Sequence, residues 1–374
     1  MKLYEYQVKE LFKDAGITIP KSTLIHRVDQ ASEAFKAIGF PCVIKSQVLS
    51  GGRGKAGLIQ FVKDESKGMA EVSRLLSLPQ KISSLLIEEA VDIESEVYAS
   101  FTVDPVSGSA LSIVSATGGV DIETLAIEQP EKIIQTKIDM RIGLQPFQAS
   151  HIAYECGFNV EIAKKFIRLL DNLYRLFVQY DCELLEINPL FITKNQTLVA
   201  GDGKCSIDDN SMFRHQDISV PLADIENEAE RLAMEEGIPF IQFDGDISLM
   251  CAGAGLTTTV YDLIHYEGGT VANYLEFGGP HYKKAMKAME ICLKVPSKVI
   301  LIVTFGTIAR ADVMAQGIVE AISKLKPDRP IVTCIRGTNE IEAVETLKQA
   351  GLNPLFDTEE AVRLAVALAK ETKI

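Results

Sequence analysis

The chain has 374 residues, of which 47% are apolar and 24% are charged, and its formal net charge is −13. This length predicts two or three domains with substantial cores. The acidic balance leaves no broad basic surface for phosphate backbones or anionic lipids, so we expect neither nucleic acid nor a membrane as partner. The seven cysteines form no Cys-x-x-Cys pair, which argues against zinc and against a disulfide scaffold.

The amino-terminal residues lack the apolar core of a signal peptide, and no apolar run is long enough to span a bilayer. Seven unpaired thiols are typical of a reducing compartment. We therefore expect the chain in the cytoplasm. A mitochondrial matrix protein that has lost its transit peptide would have the same features.

A strand and a basic, glycine-rich loop follow one another over residues 41–57. Glycines let backbone N–H groups approach an anion closely, and cations supply the charge that a nucleotide's phosphates require. The cations are Lys45, Arg53 and Lys55, and the glycines include Gly52 and Gly54. The segment matches neither the Walker pattern nor the dinucleotide fingerprint. It predicts a polyphosphate-binding loop of another type, the alternative being a basic surface hairpin.

The loop and the segment Leu3–Phe12, which reads Leu-Tyr-Glu-Tyr-Gln-Val-Lys-Glu-Leu-Phe, together resemble the nucleotide-binding beta subunit of the succinyl-CoA synthetase family. The match in order and spacing extends over essentially the whole chain. The resemblance implies an ATP-grasp domain in the amino-terminal half, with Lys45 and Arg53 as catalytic residues. It also implies that Lys45, Gly52, Arg53 and Gly54 bind the nucleotide.

The chain changes character at Gly237-Ile238-Pro239, which predicts a domain boundary between residues 237 and 238. Residues 1–237 mix strands with amphipathic helices, as an α+β nucleotide- and magnesium-binding domain would. In residues 238–374, five apolar strands are each followed by a helical pattern, which predicts an α/β domain with a doubly wound parallel sheet of flavodoxin-like order. The predicted strands are 247–251, 270–277, 298–304, 330–335 and 355–356.

A second motif is a hairpin that carries oxygen ligands, formed by residues 183–193 and 197–203. Strand alternation points Glu186 and Asn188 to one face, and the return strand brings Asp202 across from them. Such ligands suit Mg2+, which keeps several waters and uses phosphate oxygens. The alternative is a solvated hairpin face. Glu-Ile-Asn-Pro-Leu followed by this aspartate matches the family's metal motif, so the resemblance implies Asn188 and Asp202 as metal ligands, with Glu186 nearby as a catalytic residue.

The segment 85–98 corresponds in the resembling family to the strand that meets adenine and ribose. The resemblance places Glu88 and Val91 at this hinge and Glu96 beside the lysine and phosphates, where a carboxylate would hold the ammonium of Lys45. Without the resemblance, Glu96 is equally consistent with a solvated strand face. The residues do not decide between ATP and GTP.

The family mechanism implied by the resemblance uses the nucleotide to phosphorylate a histidine, which passes the phosphoryl group to a carboxylate before CoA displaces phosphate. In this family the histidine and the CoA site belong to an alpha subunit. None of the five histidines of this chain lies in a glycine-rich loop at the start of a helix. We therefore expect the chain to supply nucleotide, Mg2+ and part of the acid site to a partner, which binds CoA.

The turns after the predicted parallel strands are the expected site of the acid substrate. The candidate residues are Ala252, Gly279, Thr307, Ile308 and Ala309. The family has asparagine where this chain has Ala252, glycine where it has Pro280 and glycine where it has Thr307. These departures predict an altered acid, another dicarboxylate or a sulfonate such as sulfoacetate, with Thr307 and His281 as possible donors; succinate stays open if neighbouring amides compensate.

Two further functions are compatible with the sequence. A divergent subunit that binds nucleotide and regulates or scaffolds a partner would explain the altered acid site. A stand-alone ATP-grasp enzyme that forms an acyl phosphate would explain the lack of a phosphohistidine loop. The first predicts no turnover, and the second predicts turnover without a partner.

Overall fold

The structure is a computed structural model that describes residues 1–49, 52–78, 82–218, 225, 227–278, 283–306 and 309–371. The chain divides into two compact units, Met1–Val220 and Pro221–Ile374. The predicted boundary at residues 237/238 lies one helix later in the chain. Helix Glu228–Glu236 belongs to the second unit because its Ala229 and Ala233 pack in that unit's core. None of the helices in the described ranges combines the length and apolar character needed to cross a membrane.

The first unit contains six α-helices and ten strands among its described residues. The helices are α1 (Glu5–Asp14), α2 (Ala31–Ile38), α3 (Glu65–Leu76), α4 (Ile122–Glu128), α5 (Pro146–Glu155) and α6 (Val160–Gln179). The strands are β1 (Ser22–Ile25), β2 (Cys42–Ser46), β3 (Ile59–Val62), β4 (Leu85–Glu89), β5 (Ile93–Asp104), β6 (Ser109–Ser115), β7 (Ile134–Ile138), β8 (Cys182–Thr193), β9 (Leu198–Ala200) and β10 (Gly203–Ile207).

These strands form two antiparallel sheets, each with its own apolar core. The first has the order β1-β4-β2-β3, and its core contains residues of α2 and α3. The second has the order β10-β8-β5-β6-β7, with β9 paired to β8, and its core contains residues of α5 and α6. Helix α1 contributes Val8 and Phe12 to the second core. Because successive strand residues face opposite sides, each sheet has one apolar face and one face free to carry polar side chains.

The second unit is a doubly wound sheet. Its helices are α7 (Glu228–Glu236), α8 (Ala254–Tyr266), α9 (Ala285–Lys294), α10 (Ala311–Leu325), α11 (Glu340–Gln349) and α12 (Thr358–Glu371), and its strands are β11 (Phe240–Gln242), β12 (Ile247–Ala252), β13 (Val271–Leu275), β14 (Val299–Gly306) and β15 (Ile331–Gly337). The order is β11-β13-β12-β14-β15, with β13, β12, β14 and β15 parallel. Helices α8 and α12 pack on one face, and α7, α9, α10 and α11 pack on the other.

This topology confirms the predicted fold class and the flavodoxin-like order of the first four parallel strands. The predicted fifth strand at 355–356 is reduced to a single parallel bridge between Leu355 and Cys334. Pro354 precedes this bridge and has no N–H to extend the ladder. The antiparallel edge strand β11 was not predicted, because three residues are too few to show a periodic pattern.

Candidate functional site: a buried charge network in the first unit

Lys45 lies on β2, with its side chain on the face opposite the apolar core. Ile44 packs in that core, so the alternation of the strand turns Lys45 away from it. The residue is 8% exposed. Its Nζ contacts Glu5 Oε1 at 2.8 Å and Glu88 Oε2 at 2.6 Å, and it donates to the carbonyl oxygen of Gly201 at 2.6 Å. These three contacts account for the three N–H donors of an ammonium group.

Helix α1 brings a carboxylate and an ammonium group to the same place. Lys9 Nζ lies 2.9 Å from Glu5 Oε1 and donates to Glu88 Oε1. Lys9, Glu5, Lys45 and Glu88 therefore form a closed ring of alternating charge, in which each carboxylate contacts both ammonium groups. We call this arrangement the charge ring. Every member is less than 9% exposed, so the ring is shielded from water.

Glu5 and Lys9 were not predicted from the sequence to be site residues. The signal that identifies them is their position on α1, where they share a face with Val8 and Phe12, the apolar residues of the helix core. A charged pair four residues apart on an apolar helix face must find partners inside the protein. Here those partners are Lys45 and Glu88.

Arg53 extends the charge ring towards solvent. Its Nη1 donates to Glu5 Oε2 at 2.5 Å and to the carbonyl oxygen of Ser46 at 3.3 Å, and its Nη2 donates to Asp202 Oδ2. Lys55 in the same loop is exposed. The charge ring, Arg53 and Asp202 together form what we call the network. Lys45 and Arg53 both belong to it, whereas Lys55, the third predicted cation, lies outside it.

The glycine-rich loop forms successive turns. Gly52 has φ of +77° and Gly57 has φ of +68°, a conformation that favours glycine. Within the loop, the N–H groups of Ala56, Gly57 and Leu58 donate to the carbonyl oxygens of Gly52, Gly54 and Arg53, respectively. These three N–H groups are thus used by the turns themselves. Gly51 lies outside the described residues.

The charges of the network stabilise one another. Burial by itself would raise the pKa of Glu5, but the nearby cations Lys45, Lys9 and Arg53 outweigh burial and hold that pKa well below its usual value. Burial disfavours the charged forms of Lys45 and Arg53 as well, yet the neighbouring carboxylates raise the pKa of both. The ionised forms of Glu5, Lys45 and Arg53 are therefore favoured at neutral pH.

The predicted hairpin is present, and it places its oxygen-bearing side chains as expected. Glu186 pairs with Lys204 and Ile187 with Gly203 across β8 and β10, and the N–H of Asn188 donates to the carbonyl oxygen of Asp202 at 3.3 Å. Ile187 packs in the core, so Glu186 and Asn188 share the opposite face. Asp202 lies in the break between β9 and β10.

The oxygens of these residues fit a hard cation. Asp202 Oδ1 accepts the Gly203 N–H at 2.8 Å, and Asn188 Oδ1 accepts the Gly119 N–H at 2.9 Å, which orients both groups. Each oxygen keeps a second lone pair, and oxygen ligands of low total charge are those that Mg2+ prefers. Within the described residues no group of three or more His, Cys, Asp or Glu is arranged to hold a metal.

Burial raises the pKa of both carboxyl groups of the hairpin, those of Asp202 and Glu186. Burial and the nearby charge of Glu5 raise the pKa of Asp202, although Arg53 and Lys45 act in the opposite direction. Burial also raises the pKa of Glu186, which the hydrogen bond from the Tyr98 hydroxyl, 3.0 Å long, partly opposes. The pKa of Tyr98 is raised by burial and by this carboxylate.

The carboxylates next to Lys45 are those of Glu5 and Glu88, where the sequence led us to expect that of Glu96. Glu96 lies beside Gly119, so close that a Cβ added to this glycine would meet Glu96 Oε2 at 1.9 Å. Glu88 points into the charge ring because Leu85 and Ile87 occupy the core face of β4. Val91 is half-buried in the connection from β4 to β5.

In the second unit, the described residues of the turns predicted to meet the acid follow the carboxyl ends of parallel strands. Ala252 ends β12 and is half-buried, and a Cβ added to Gly278 would meet its Cα at 2.8 Å. Ala309 follows β14, and its carbonyl oxygen lies near Gly306. The contact between Gly278 and Ala252 places the ends of the neighbouring parallel strands β12 and β13 together. Gly279, Pro280, His281, Thr307 and Ile308 lie outside the described residues.

Comparison with known proteins identifies both units. The family described as ATP-grasp domain matches residues 2–192, and the family described as CoA-ligase matches residues 250–368. A structure of ATP citrate lyase from Methanothrix soehngenii superposes with a TM-score of 0.72 over 98% of this chain and 99% of that chain. It is 18% identical, so this similarity concerns the fold.

Relatives of known function match along the full length. The ADP-forming sulfoacetate-CoA ligase subunit SqwK of an Acholeplasma species is 66% identical over 100% of this chain and 93% of its own length. The corresponding subunit SauC of Bilophila wadsworthia is 53% identical over 99% of both chains. The succinate-CoA ligase beta subunit of Ignicoccus hospitalis is 39% identical over 99% of this chain and 100% of its own. The chain therefore belongs to the family of ADP-forming acid–CoA ligase subunits that includes the succinate–CoA ligase beta subunits.

Proposed function

We propose that this chain is the nucleotide-binding subunit of an ADP-forming ligase that joins sulfoacetate to CoA. The observation that carries the choice of acid is the identity of 66% and 53% to two sulfoacetate-CoA ligase subunits, against 39% to a succinate-CoA ligase subunit. The replacement of the family's asparagine by Ala252 in a turn of the acid site agrees with it.

The chemistry of the acid supports this choice. A sulfonate presents three oxygens in a pyramid, whereas a carboxylate presents two in a plane. A methyl side chain at position 252 leaves more room than the family's amide and removes a group suited to a planar carboxylate. Gly279, Thr307, Ile308 and Ala309 complete the proposed acid site, and His281 is a further candidate donor.

Lys45 and Arg53 are proposed to bind the phosphates of ATP. A phosphate that enters the network competes with the present partners of these cations, since Lys45 already uses its three donors and Arg53 is paired with Asp202. Phosphoryl transfer is catalysed chiefly by positioning and by neutralising negative charge. A preformed pair of cations serves both purposes. Gly52, Gly54, Glu88, Val91 and Glu96 are the further proposed nucleotide contacts.

Asn188 and Asp202 are proposed to hold Mg2+, with Glu186 beside them. When bound, the ion would neutralise phosphate charge and orient the nucleotide. The residues of this chain prepare the site by fixing both oxygens through the N–H groups of Gly119 and Gly203. The hydroxyl group of Tyr98 orients the carboxylate of Glu186 through a hydrogen bond.

The overall reaction is proposed to be acid + CoA + ATP to acyl-CoA + ADP + phosphate, with an alpha subunit that supplies the phosphohistidine and binds CoA. None of the described histidines of this chain contacts the charge ring or Arg53. An external histidine is proposed to carry the phosphoryl group. This chain would activate the nucleotide and bind part of the acid.

The test is to coexpress the chain with the product of the adjacent gene and follow ADP release with Mg-ATP, CoA and a panel of acids that includes sulfoacetate, succinate, malate and citrate. We expect CoA-dependent turnover with a preference for sulfoacetate over succinate of about tenfold or more. A preference for succinate would contradict the proposed acid. Nucleotide binding without turnover would indicate a regulatory subunit, and turnover without the partner would indicate a stand-alone enzyme.

A further inference from the structure

Glu5 is the residue that connects the two cations of the proposed phosphate site. Its Oε1 contacts Lys45 at 2.8 Å, and its Oε2 accepts from Arg53 at 2.5 Å. The two cations come from separate elements, β2 and the glycine-rich loop. A single carboxylate thus fixes the distance between them.

Exposure increases from Glu5 outwards. The side chain of Glu5 is 1% exposed, those of Lys45 and Arg53 are each 10% exposed, and that of Asp202 is 25% exposed. The carboxylate therefore lies behind the two cations, on the side away from solvent. A nucleotide that arrives from solvent meets the cations before it meets Glu5.

Lys9 balances the negative charge of the buried carboxylates Glu5 and Glu88. Lys9, Lys45 and Arg53 carry three positive charges, and Glu5, Glu88 and Asp202 carry three negative charges, so the network is neutral as a whole. Without Lys9, two buried carboxylates would share one ammonium group of the ring. Uncompensated buried charge is strongly unfavourable.

We infer that Glu5 and Lys9 of α1 are positioning residues of the nucleotide site: Glu5 orients Lys45 and Arg53 towards the phosphates, and Lys9 holds Glu5 in place. The inference rests on the proposed function, since it assumes that these cations bind the phosphates of ATP. It assigns a role to the first helix that neither the glycine-rich loop nor the hairpin provides.

The direction in which Glu5→Gln changes the affinity for ADP distinguishes a positioning role from a purely electrostatic one. Removing a negative charge near a polyanion site should tighten the binding of ADP if only charge mattered. If Glu5 orients the cations, Glu5→Gln should instead weaken ADP binding, by on the order of tenfold, because two charge-assisted contacts become weaker. We would measure ADP affinity of the purified full chain by calorimetry in the presence of Mg2+.

The matched control is Glu10→Gln, on the same helix but exposed, which should leave ADP affinity unchanged. Adenosine, measured by competition, reports general damage, because it lacks phosphates. Positioning predicts weaker ADP binding by Glu5→Gln with unchanged adenosine binding, and equal losses for both ligands would overturn the inference. Glu5→Asp, which keeps the charge but is too short to reach both cations, is expected to lose about threefold.

Lys9→Met tests the second residue. It should weaken ADP binding as Glu5→Gln does, although Lys9 contacts no solvent-facing member of the network. ADP binding by Glu5→Gln as tight as by the unmodified chain, or tighter, would overturn the positioning role. If Glu5→Gln does not fold, unchanged affinity in Glu5→Asp overturns it and a loss supports it. Absence of ADP binding by the unmodified chain would overturn the proposed function itself, and the positioning role with it.

Discussion

The guanidinium group of Arg53 donates a hydrogen bond to the carboxylate of Asp202, a residue 149 positions further along the chain. The pair joins the proposed phosphate-binding loop to the proposed metal-binding hairpin. Both partners are assigned other ligands in the proposed function, the phosphates for Arg53 and Mg2+ for Asp202. Binding of the metal–nucleotide complex would therefore exchange one ion pair for two favourable contacts, which makes metal and nucleotide binding interdependent.

The first prediction concerns the two cations of the loop. Arg53→Met should lower turnover about a hundredfold or more, because a preformed donor to the transferring group is lost. Lys55→Met, the matched control from the same loop, should have a small effect, since Lys55 is exposed and lies outside the network. Steady-state rates of ADP release with the partnered enzyme provide the measurement.

Arg53→Lys refines this comparison. Lysine keeps the charge but lacks the planar fork that contacts Glu5 and Asp202 together. It should recover only part of the lost turnover. Full activity in Arg53→Lys, or equal losses in Arg53→Met and Lys55→Met, would show that the geometry of this arginine is unimportant.

The sequence was sufficient to predict the elements that carry the longest patterns. The four parallel strands of the second unit occur where the sequence predicted them, because their apolar runs alternate with helical patterns. Lys45 was identifiable because a lysine on an apolar strand, followed by a basic glycine-rich loop, is unusual. The hairpin of Glu186, Asn188 and Asp202 was identifiable from strand alternation.

The partners of Lys45 could not be predicted in the same way. Glu5 and Glu88 reach it because α1 packs on the second sheet while β2 and β4 belong to the first, and sequence patterns contain no information on how two such elements meet. The family resemblance had instead placed Glu96 beside this lysine. The prediction of a fifth strand was wrong for a local reason, since Pro354 limits pairing at this edge to one bridge.

A second prediction separates the two roles of Asp202. Asp202→Asn removes a proposed ligand of Mg2+ and should raise the Mg2+ concentration needed for half-maximal activity by more than about tenfold. The same change releases Arg53 and removes a negative charge, so ATP should bind more tightly than to the unmodified chain when Mg2+ is chelated. The two opposite effects are measured by activity titration with Mg2+ and by calorimetry with EDTA.

The control for this experiment is Asp14→Asn, an exposed aspartate at the end of α1, which should change neither quantity. Tighter binding of metal-free ATP without any change in Mg2+ dependence would leave the ion pair with Arg53 as the only role of Asp202. Unchanged behaviour in both assays would contradict the exchange proposed above.

A third prediction follows from the bond between Tyr98 and Glu186. The pKa of Glu186 is raised by burial and lowered by the Tyr98 hydroxyl, so Tyr98→Phe should raise this pKa further. The carboxylate form of Glu186 prevails only above its pKa. If the carboxylate is the active form, the acid limb of the pH–rate profile should move to higher pH in Tyr98→Phe. Tyr154→Phe, at an exposed position on α5, serves as the control and should leave the profile in place.

Stability gives an independent readout for the same substitution. The lost hydrogen bond leaves a partly buried carboxylate with one donor fewer, which should lower the free energy of unfolding by about 1 kcal/mol.

An acid limb of the pH–rate profile that moves to lower pH in Tyr98→Phe would show that the protonated form of Glu186 is required. An unchanged limb would show that its titration does not control the rate.

The last prediction concerns the acid. Ala252→Asn introduces the amide that the family resemblance implies for this turn, and it reduces the space next to the strand end. A new hydrogen bond to a carboxylate is worth roughly 1.5–3 kcal/mol, so the ratio of kcat/KM for sulfoacetate to that for succinate should fall by about tenfold or more. Ala367→Asn, at an exposed position on α12, should not change this ratio. The measurement is competition between the two acids in the partnered enzyme, in which both acyl-CoA products are quantified. A ratio that stays the same in Ala252→Asn would place the selection of the acid at other residues, on this chain or on its partner.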